Sequence, residues 1–277
     1  MTIIIDGKAV AENIINNLAG EISKMNVKPH LVVIQVGDVP ASTIYVNLKK
    51  KKAELIGIKS TIIKLSENIS ESELIHQIEV LNEDTSVNAM LVQLPLPKHI
   101  NPKNVIKSIV PEKDVDGFTA QNSGNLLNGS TPNAFPCTPK GILRLLHEYN
   151  IKISGKHVVI VGRSNIVGKP LALMLLNEDA TVTMCHSKTE NLKDITLCAD
   201  ILISAVGKKI IFKDMVKKDA VVIDVGIYKD ENGKTTGDVD FDNVKEQTSF
   251  ISPVPGGVGP MTIASLMENT LLLFENQ

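Results

Sequence analysis

The stretch that most constrains this fold is VVIVGRSNIVGKP, at residues 158–170. Four apolar residues meet a glycine, and Pro170 then begins an apolar run that is typical of a helix. A strand, a tight turn and a helix start thus follow one another. The N–H groups at a helix start are unpaired and carry partial positive charge, which suits a phosphate group. The stretch therefore predicts a nucleotide-binding turn.

The glycines of this turn match the usual dinucleotide fingerprint only in part. That fingerprint would place glycines at positions 162, 164 and 167, whereas the chain has Gly162, Ser164 and Val167, with Gly168 one place late. An ordinary βα turn with small residues for helix packing fits the same residues. The turn alone leaves both interpretations open.

The residues after the next predicted strand favour NADP as the nucleotide. NAD enzymes tend to carry an Asp or Glu at this place, which holds the ribose 2′-hydroxyl. Here the chain reads His186-Ser187-Lys188, with no acid to repel a 2′-phosphate. Arg163 and these three residues are candidate donors to that phosphate. His186 and Lys188, each taken singly, also fit solvated loop residues.

Length and charge narrow the class of protein. The 277 residues, 43% of them hydrophobic, are enough for two domains with sizeable cores. Lys plus Arg (29) nearly balances Asp plus Glu (31), so the charge indicates neither nucleic acid nor an anionic membrane surface as a partner. We expect a small-molecule partner.

The remaining sequence signals favour a reducing compartment. The three cysteines, Cys137, Cys185 and Cys198, are an odd number without CxxC spacing, and no signal segment opens the chain. No apolar run approaches the ~18 residues of a spanning helix. The six histidines show no ligand pattern, so no metal site is expected. We expect a cytoplasmic protein without a membrane partner.

The first half of the chain alternates apolar strands with amphipathic helices. Strands are predicted at Thr2–Asp6, His30–Gly37, Lys59–Leu65 and Ala89–Leu94, and helices at Lys8–Met25, Ala41–Ile56 and Ser70–Glu83. Ser70 and Glu73 form a capping-box pattern at the start of the third helix. The alternation predicts an α/β domain with a parallel sheet covered on both faces.

A long segment rich in proline, glycine and asparagine, residues 95–139, then interrupts the alternation. Its length argues against a passive turn, and we expect an irregular segment that lines a site. A helix is predicted at Thr138–Tyr149, a final helix at Met261–Phe274, and strands of a second domain at His157–Val161, Ala180–Cys185, Asp200–Ala205, Ala220–Val225 and Ser249–Ile251. The apolar face of the final helix must be covered, and packing back on the first domain would do so.

The fold class predicted from these elements is α/β with two domains. Residues 1–140 plus 262–277 form the first domain, and residues 141–261 form a Rossmann-like nucleotide-binding domain.

One predicted helix carries two groups suited to chemistry. The i, i+4 spacing puts Tyr45 and Lys49 on one face, where both can act on one ligand. At 100° per residue, Ile44, Leu48 and Leu55 form the predicted buried stripe, and Tyr45 and Lys49 lie along its edge. A solvated face is the default interpretation of a lysine run and is kept for Lys50–Lys52, whereas its position on the helix separates Lys49 from them.

Three further stretches offer polar groups. Gln93 is the polar residue in an apolar strand whose carboxyl end should open on the ligand crevice, where an amide can orient a substrate or a water. Asp116 is the better ligand candidate of two nearby acids, because Asp114 fits a turn-forming residue. The loop at residues 255–260 either presents backbone N–H groups to a flat ring or is a rigid linker.

Seven motifs occur in one order along nearly the whole chain. They are YVNLK at 45–49, VQLPLP at 92–97, KDVDGF at 113–118, PCTPKG at 136–141, GRSNIVGKP at 162–170, CHSKT at 185–189 and PGGVGPMT at 255–262. In this register the chain resembles the bifunctional methylenetetrahydrofolate dehydrogenase/cyclohydrolase family. Seven motifs in register are far more specific than any one of them.

The resemblance implies roles for the candidate residues. Lys49 would be central to the cyclohydrolase step, with Gln93 tuning it, while Tyr45 orients the folate and Asp116 holds the pterin ring. The implied catalytic residues are Lys49, Tyr45, Gln93 and Asp116, and the implied substrate-binding set adds Leu94, Pro255, Gly256 and Gly257. The implied NADP contacts are Gly162, Arg163, Ser164, Ser187 and Ile227.

The resemblance also implies a homodimer that meets through the nucleotide domains, with the active site in the cleft between the two domains of each subunit. Two alternatives stay open from the sequence. One is a related two-domain NADP dehydrogenase on another small substrate, such as a shikimate-type oxidoreductase. The other is a non-catalytic NADP-binding protein.

Overall fold

The computed structural model describes the chain at residues 1–231 and 233–277, apart from the side chain of Ala41. Two compact units are present. We call Asn13–Cys137 with Ser265–Gln277 the three-stranded unit, and Met1–Glu12 with Thr138–Ala264 the six-stranded unit. Within the described residues, no helix is long and apolar enough to cross a membrane.

The three-stranded unit is built on a parallel sheet of order β3-β2-β4, comprising β2 (His30–Val36), β3 (Lys59–Leu65) and β4 (Ala89–Val92). The central strand β2 is buried at all of its residues, because sheet neighbours and helices cover it on every side. Its helices are α2 (Pro40–Leu55), α3 (Glu71–Glu83), α4 (Pro102–Ser108), α5 (Ala120–Leu127) and most of α1 (Gly7–Ser23). The predicted parallel sheet is confirmed.

The predicted capping box at the start of α3 is confirmed. The Ser70 hydroxyl accepts a hydrogen bond from the Glu73 N–H at 3.2 Å, and the Glu73 carboxylate accepts one from the Ser70 N–H at 2.9 Å. Two N–H groups that a helix start leaves unpaired are thereby satisfied.

The segment at residues 95–139 is less irregular than predicted, since it contains α4 and α5. Asn101 caps α4 by accepting from the Lys103 N–H, and Thr119 caps α5 by accepting from the Asn122 N–H. Helices of seven and eight residues give too few turns for a clear apolar period, although their capping residues are visible in the sequence.

The six-stranded unit has a sheet of order β1-β11-β8-β7-β5-β6, in which every pair is parallel. Its strands are β1 (Ile3–Ile4), β5 (His157–Val161), β6 (Thr181–Cys185), β7 (Ile201–Ser204), β8 (Val221–Asp224) and β11 (Phe250–Ile251), and β9 (Tyr228–Lys229) pairs with β10 (Thr235–Thr236) separately. The helices are α6 (Cys137–Glu148), α7 (Gly168–Leu176), α8 (Leu192–Thr196), α9 (Phe241–Val244) and the first part of α10 (Val258–Glu275).

The first strand of the chain differs from the prediction. The sequence placed residues 2–6 with the first domain, but Ile3 and Ile4 pair with Phe250 and Ile251 at the edge of the six-stranded sheet. Pairing across almost the whole length of the chain leaves no trace in local periodicity, so adjacency in sequence was misleading here.

The final helix is longer than predicted, and the predicted packing of its C-terminal part with the first domain is confirmed. α10 begins at Val258, inside the predicted loop, and residues from Ser265 onward belong to the three-stranded unit. The Gln277 side-chain amide donates to the main-chain oxygens of Asn88 and Glu112 at 2.8 and 2.9 Å. The end of the chain is thus fixed to the unit that the sequence assigned to it.

Candidate active site

Helix α2 buries a different face from the predicted one. Ile44, Leu48 and Leu55 are 61%, 43% and 68% exposed, so the predicted buried stripe is wrong. The helix packs on β2 and β3 through smaller side chains, because Ser42, Val46 and Ala53 are its buried residues. Small residues allow a close approach of helix to sheet. The large apolar residues of α2 therefore do not mark its buried face.

This rotation changes the position of Lys49. The buried positions of α2 are spaced by three and four residues, and position 49 falls on the same line, between Val46 and Ala53. Lys49 is half-buried as a result, whereas Lys51 is exposed. Lys50 forms an ion pair with Glu54, one turn further along the same helix, at 3.7 Å. Lys50 and Lys52 are half-buried as well, so burial alone does not separate Lys49 from them. The hydrogen bond from Lys49 to Gln93 does.

Gln93 meets Lys49 directly after strand β4. Its backbone N–H donates to Ile34 at 2.8 Å, which continues the sheet by one residue and fixes where the side chain begins. The side-chain amide donates to the neighbouring Leu94 oxygen at 2.7 Å, and its Oε1 accepts from the Lys49 Nζ at 3.0 Å. An ammonium group can only donate, so the glutamine oxygen faces it.

Asp116 is half-buried in the loop that follows α4. Burial raises the pKa of its carboxyl group above the ordinary value, and the positive charge of Lys49 opposes that shift. The Cys137 thiol lies 3.6 Å from Asp116 Oδ1 and donates a weak hydrogen bond to it. The structure thus brings three predicted residues, Lys49, Gln93 and Asp116, into one part of the three-stranded unit.

The neighbouring acid, Asp114, is confirmed as a turn-forming residue. It is 2% exposed, and its Oδ2 accepts from the Thr119 N–H at 2.7 Å and from the Asn122 amide at 2.9 Å. Both hydrogen bonds go to one carboxylate oxygen and tie Asp114 to the start of α5. Asp114 consequently shapes the loop, and Asp116 presents the carboxyl group.

Asn269 of α10 is a residue that the sequence did not reveal. Its fully buried side-chain amide donates to the main-chain oxygens of Val115 and Phe135 at 2.9 and 2.7 Å. The Asp116 loop and the segment that precedes α6 are thereby both held to α10. The available signal was a lone asparagine on the otherwise apolar face of α10.

Tyr45 and Leu94 complete the candidate residues of this unit. Tyr45 is exposed, one helical turn before Lys49, and its ring is available to a ligand on that face. Leu94 is half-buried beside Gln93.

In the six-stranded unit, the turn after β5 is shaped by glycines. Gly162 has φ +130°, and a Cβ there would lie 2.5 Å from the Ala205 oxygen. A Cβ on Gly168 would collide with the Gly162 oxygen, so the late glycine serves the close approach of α7 to the turn. The Ser164 hydroxyl accepts from the Val167 N–H at 3.1 Å, just before α7 begins.

The ends of β5 and β6 lie side by side, with Val161 paired to Cys185 and the Gly162 N–H donating to the Cys185 oxygen at 2.9 Å. Arg163 and Ser187, which follow these strands, are both exposed. The His186 ring accepts from the Lys188 N–H at 3.1 Å within the loop. The residues that follow β5 and β6 thus offer hydrogen-bond donors, and no carboxylate stands at the end of β6. This combination fits the 2′-phosphate of NADP.

The loop at Pro255–Gly257 and Ile227 belong to the same unit. The Gly257 N–H donates to Pro253, and the Gly256 oxygen accepts from the Lys8 N–H, each at 2.9 Å. The Gly257 N–H is therefore used inside the loop, and substrate binding by Pro255, Gly256 and Gly257 stays a prediction. Ile227, after β8, is 44% exposed.

Comparisons with known proteins agree with this arrangement. The family model "tetrahydrofolate dehydrogenase/cyclohydrolase, catalytic domain" matches residues 5–116, and the NAD(P)-binding domain of the same family matches residues 136–277. The bifunctional protein FolD of Streptococcus thermophilus is 53% identical over 98% of this chain and 96% of its own length.

Solved structures give the same result. The bifunctional FolD enzyme of Campylobacter jejuni is 48% identical, with a TM-score of 0.98 over 100% of this chain and 99% of its own. The FolD of Trypanosoma brucei, solved with NADP cofactor and inhibitor, is 37% identical, with a TM-score of 0.95 over 99% and 98% of the two chains. The chain belongs to the tetrahydrofolate dehydrogenase/cyclohydrolase family.

Proposed function

We propose that this NADP-dependent family member carries out two successive reactions on one folate. It oxidises 5,10-methylenetetrahydrofolate to 5,10-methenyltetrahydrofolate, and it hydrolyses the methenyl compound to 10-formyltetrahydrofolate. The observation that carries the proposal is the Lys49–Gln93 hydrogen bond in the same electrostatic environment as the Asp116 carboxyl group. An ammonium group, an amide and an acid together can bind a polar heterocycle and move protons on it.

The oxidation requires alignment of the donor carbon with the hydride acceptor more than it requires acid–base catalysis. A methylene carbon between two nitrogens can lose hydride because the nitrogen lone pairs stabilise the resulting cation. NADP, when bound, supplies the hydride acceptor. The chain's part is to hold the folate so that the donor carbon is oriented, and a sparse set of polar side chains suffices for that.

The hydrolysis does require proton transfer. A water oxygen bonds to the methenyl carbon and loses both of its protons as the C=O double bond forms. The bond from that carbon to one ring nitrogen breaks, that nitrogen takes up one proton, and the second proton is released to solvent. Lys49 is the residue that we assign to these transfers. Gln93 orients it, because the glutamine oxygen is already held toward the ammonium nitrogen.

Asp116, Tyr45 and Leu94 bind the substrate in this proposal. A half-buried carboxyl group can pair with the N–H groups on the edge of a pterin ring, and its raised pKa reflects an environment shielded from water. The exposed phenol ring of Tyr45 can pack on the flat folate.

For NADP, we assign the 2′-phosphate to Arg163 and Ser187. Gly162 and Ser164 contribute the turn that approaches the nucleotide, and Ile227 contributes apolar contact. Support comes from the exposed donors at the adjoining ends of β5 and β6.

We assign folate binding to the three-stranded unit and NADP binding to the six-stranded unit. We further propose a cytoplasmic homodimer that meets through the NADP-binding domains. Exposed apolar side chains support this contact, because Leu176 is 56% exposed and Ile166 and Leu197 are 40% and 37% exposed. Sedimentation of the purified chain measures the oligomeric state, and a monomer at micromolar concentration would contradict the dimer.

The two activities are tested separately on the purified chain. Methylenetetrahydrofolate with NADP⁺ should give NADPH, and methenyltetrahydrofolate alone should be hydrolysed without any nucleotide. NADP binding without turnover of either folate would instead indicate a non-catalytic protein or a dehydrogenase for another substrate.

A further inference from the structure

We infer that the buried Asp238 carboxylate is a positioning residue for NADP binding, which sets the loop Val206–Lys208 before the cofactor arrives. The inference rests on the use of NADP in the proposed function. It concerns residues that lie outside every site discussed above.

Asp238 is fully buried and accepts four hydrogen bonds. Its Oδ1 accepts from the N–H groups of Gly207 and Lys208, both at 2.8 Å. Its Oδ2 accepts from the Val206 N–H at 2.6 Å and from the Ser204 hydroxyl at 2.9 Å. Three successive backbone amides therefore converge on one side chain, and they fix the path of the loop that leaves β7.

A second carboxylate, Asp224 at the end of β8, is arranged reciprocally. It accepts from the N–H groups of Asp238 and Val239, each at 2.9 Å, and from that of Gly226 at 3.0 Å. A Cβ on Gly226 would collide with the Asp238 carboxylate, just as a Cβ on Gly237 would collide with that of Asp224. The loops after β7 and β8 are thus fixed to one another.

The position of the loop points to the nucleotide. Strands β5 and β7 are neighbours in the sheet. The chain continues from β5 to β6 toward one edge of the sheet and from β7 to β8 toward the other edge. Open parallel sheets bind ligands at such a point, where the strand order reverses. The Ala205 N–H donates to Val161 at 2.8 Å, and the Ala205 oxygen lies against Gly162. Residues 206–208 are exposed above their buried carboxylate. They consequently border the turn assigned to NADP.

An asparagine cannot take over this role. All four donors to Asp238 are neutral groups that need an acceptor, and the amide nitrogen of an asparagine would face N–H groups instead. The variant Asp238→Asn should displace the loop without removing volume. It should spare the hydrolysis of methenyltetrahydrofolate, which uses no nucleotide.

The experiment compares Asp238→Asn with Asp240→Asn, a matched change two residues along, where the carboxylate is partly exposed and pairs with Lys209 at 3.2 Å. The Kd for NADP is measured by calorimetry, and KM, kcat and nucleotide-free methenyl hydrolysis are measured alongside. We expect Asp238→Asn to raise Kd and KM for NADP about 10- to 100-fold, with kcat at saturating NADP and the hydrolysis rate changed less than about threefold. Asp240→Asn should change none of these.

Parent-like NADP affinity in Asp238→Asn would overturn the inference, as would an equal loss of NADP binding and methenyl hydrolysis. If that variant does not fold, Ser204→Ala, which removes one donor, should still weaken NADP binding about threefold or more with hydrolysis unchanged. An unchanged Kd would then contradict the inference. Because calorimetry needs no turnover, these outcomes are separate from a failure of the proposed reactions in the parent.

Discussion

Asp116 and Asp238 are two shielded carboxyl groups whose surroundings differ. Asp238 receives four hydrogen bonds from neutral donors, at 2.6 to 2.9 Å. Asp116 lies in the field of Lys49 and, among the described residues, receives a hydrogen bond from the weak donor Cys137. A carboxylate whose lone pairs are all used inside the protein holds backbone in place, whereas one left with acceptor capacity can bind a ligand.

The same distinction separates Asp114 from Asp116 within one loop. The Oδ2 of Asp114 accepts two hydrogen bonds at the start of α5, whereas Asp116, two residues on, receives one from the weak donor Cys137 and keeps acceptor capacity. The hydrogen bonds that each carboxyl group receives inside the protein therefore distinguish two acids that the sequence could only rank.

A large effect on both reactions is expected at Asp116. Asp116→Asn keeps the shape of the side chain but removes its charge, so a substrate anchor should be lost for both reactions. We expect kcat/KM for the dehydrogenase and for the cyclohydrolase to fall together by about 100-fold. Steady-state kinetics on each folate measure this. Normal rates and folate affinity in the variant would make Asp116 a turn residue like Asp114.

A smaller and more selective effect is expected at Arg163. Arg163→Ala removes a charge-assisted contact to the 2′-phosphate, so the Kd for NADP should rise about tenfold or more, while NAD, which lacks that phosphate, should be affected less than about twofold. Titration of both nucleotides against parent and variant gives the two ratios. Equal losses would show that Arg163 stabilises the turn itself.

The smallest effect concerns Asp224. Burial raises the pKa of its carboxyl group to about 7. The folded state then binds a proton that the unfolded state has released, so this group's contribution to stability is complete below the unfolded pKa, near 4, and is lost as pH rises through 7. Between about pH 6 and about pH 7.5 the parent should lose about 1 kcal/mol that Asp224→Asn does not lose.

Urea unfolding of both proteins across that interval measures the difference. A parent whose free energy of unfolding rises with pH relative to the variant would mean that three backbone donors keep Asp224 ionised.

Local patterns predicted the strands and caps well. The strand His157–Val161 and the Ser70 capping box follow from apolar runs and from side-chain chemistry within a few residues. Features that depend on distant partners were not predictable. Asp238 acts on residues about thirty positions earlier, and Asn269 reaches Val115 across 154 positions.

The prediction of the buried face of α2 was wrong for a different reason. The prediction used the size of apolar residues, but the helix approaches its sheet through Ser42 and Ala53 and leaves Ile44 and Leu48 outside. Tertiary packing thus overrode the amphipathic pattern. Lys49 is nevertheless half-buried as predicted, because its position falls on the face of α2 that packs on the sheet.

The central claim, that Lys49 serves the hydrolysis and not the hydride transfer, is tested most directly by Lys49→Gln. The variant keeps hydrogen bonding but cannot carry a proton, so methenyl hydrolysis should fall about 100-fold or more while the dehydrogenase rate changes much less. Methenyltetrahydrofolate should then accumulate during turnover with NADP⁺, visible by its near-ultraviolet absorbance.

The matched control is Lys51→Gln, at the exposed position opposite on the same helix, and it should leave both rates unchanged. Methenyl hydrolysis at the parent rate in Lys49→Gln, or identical behaviour of the two variants, would contradict the account.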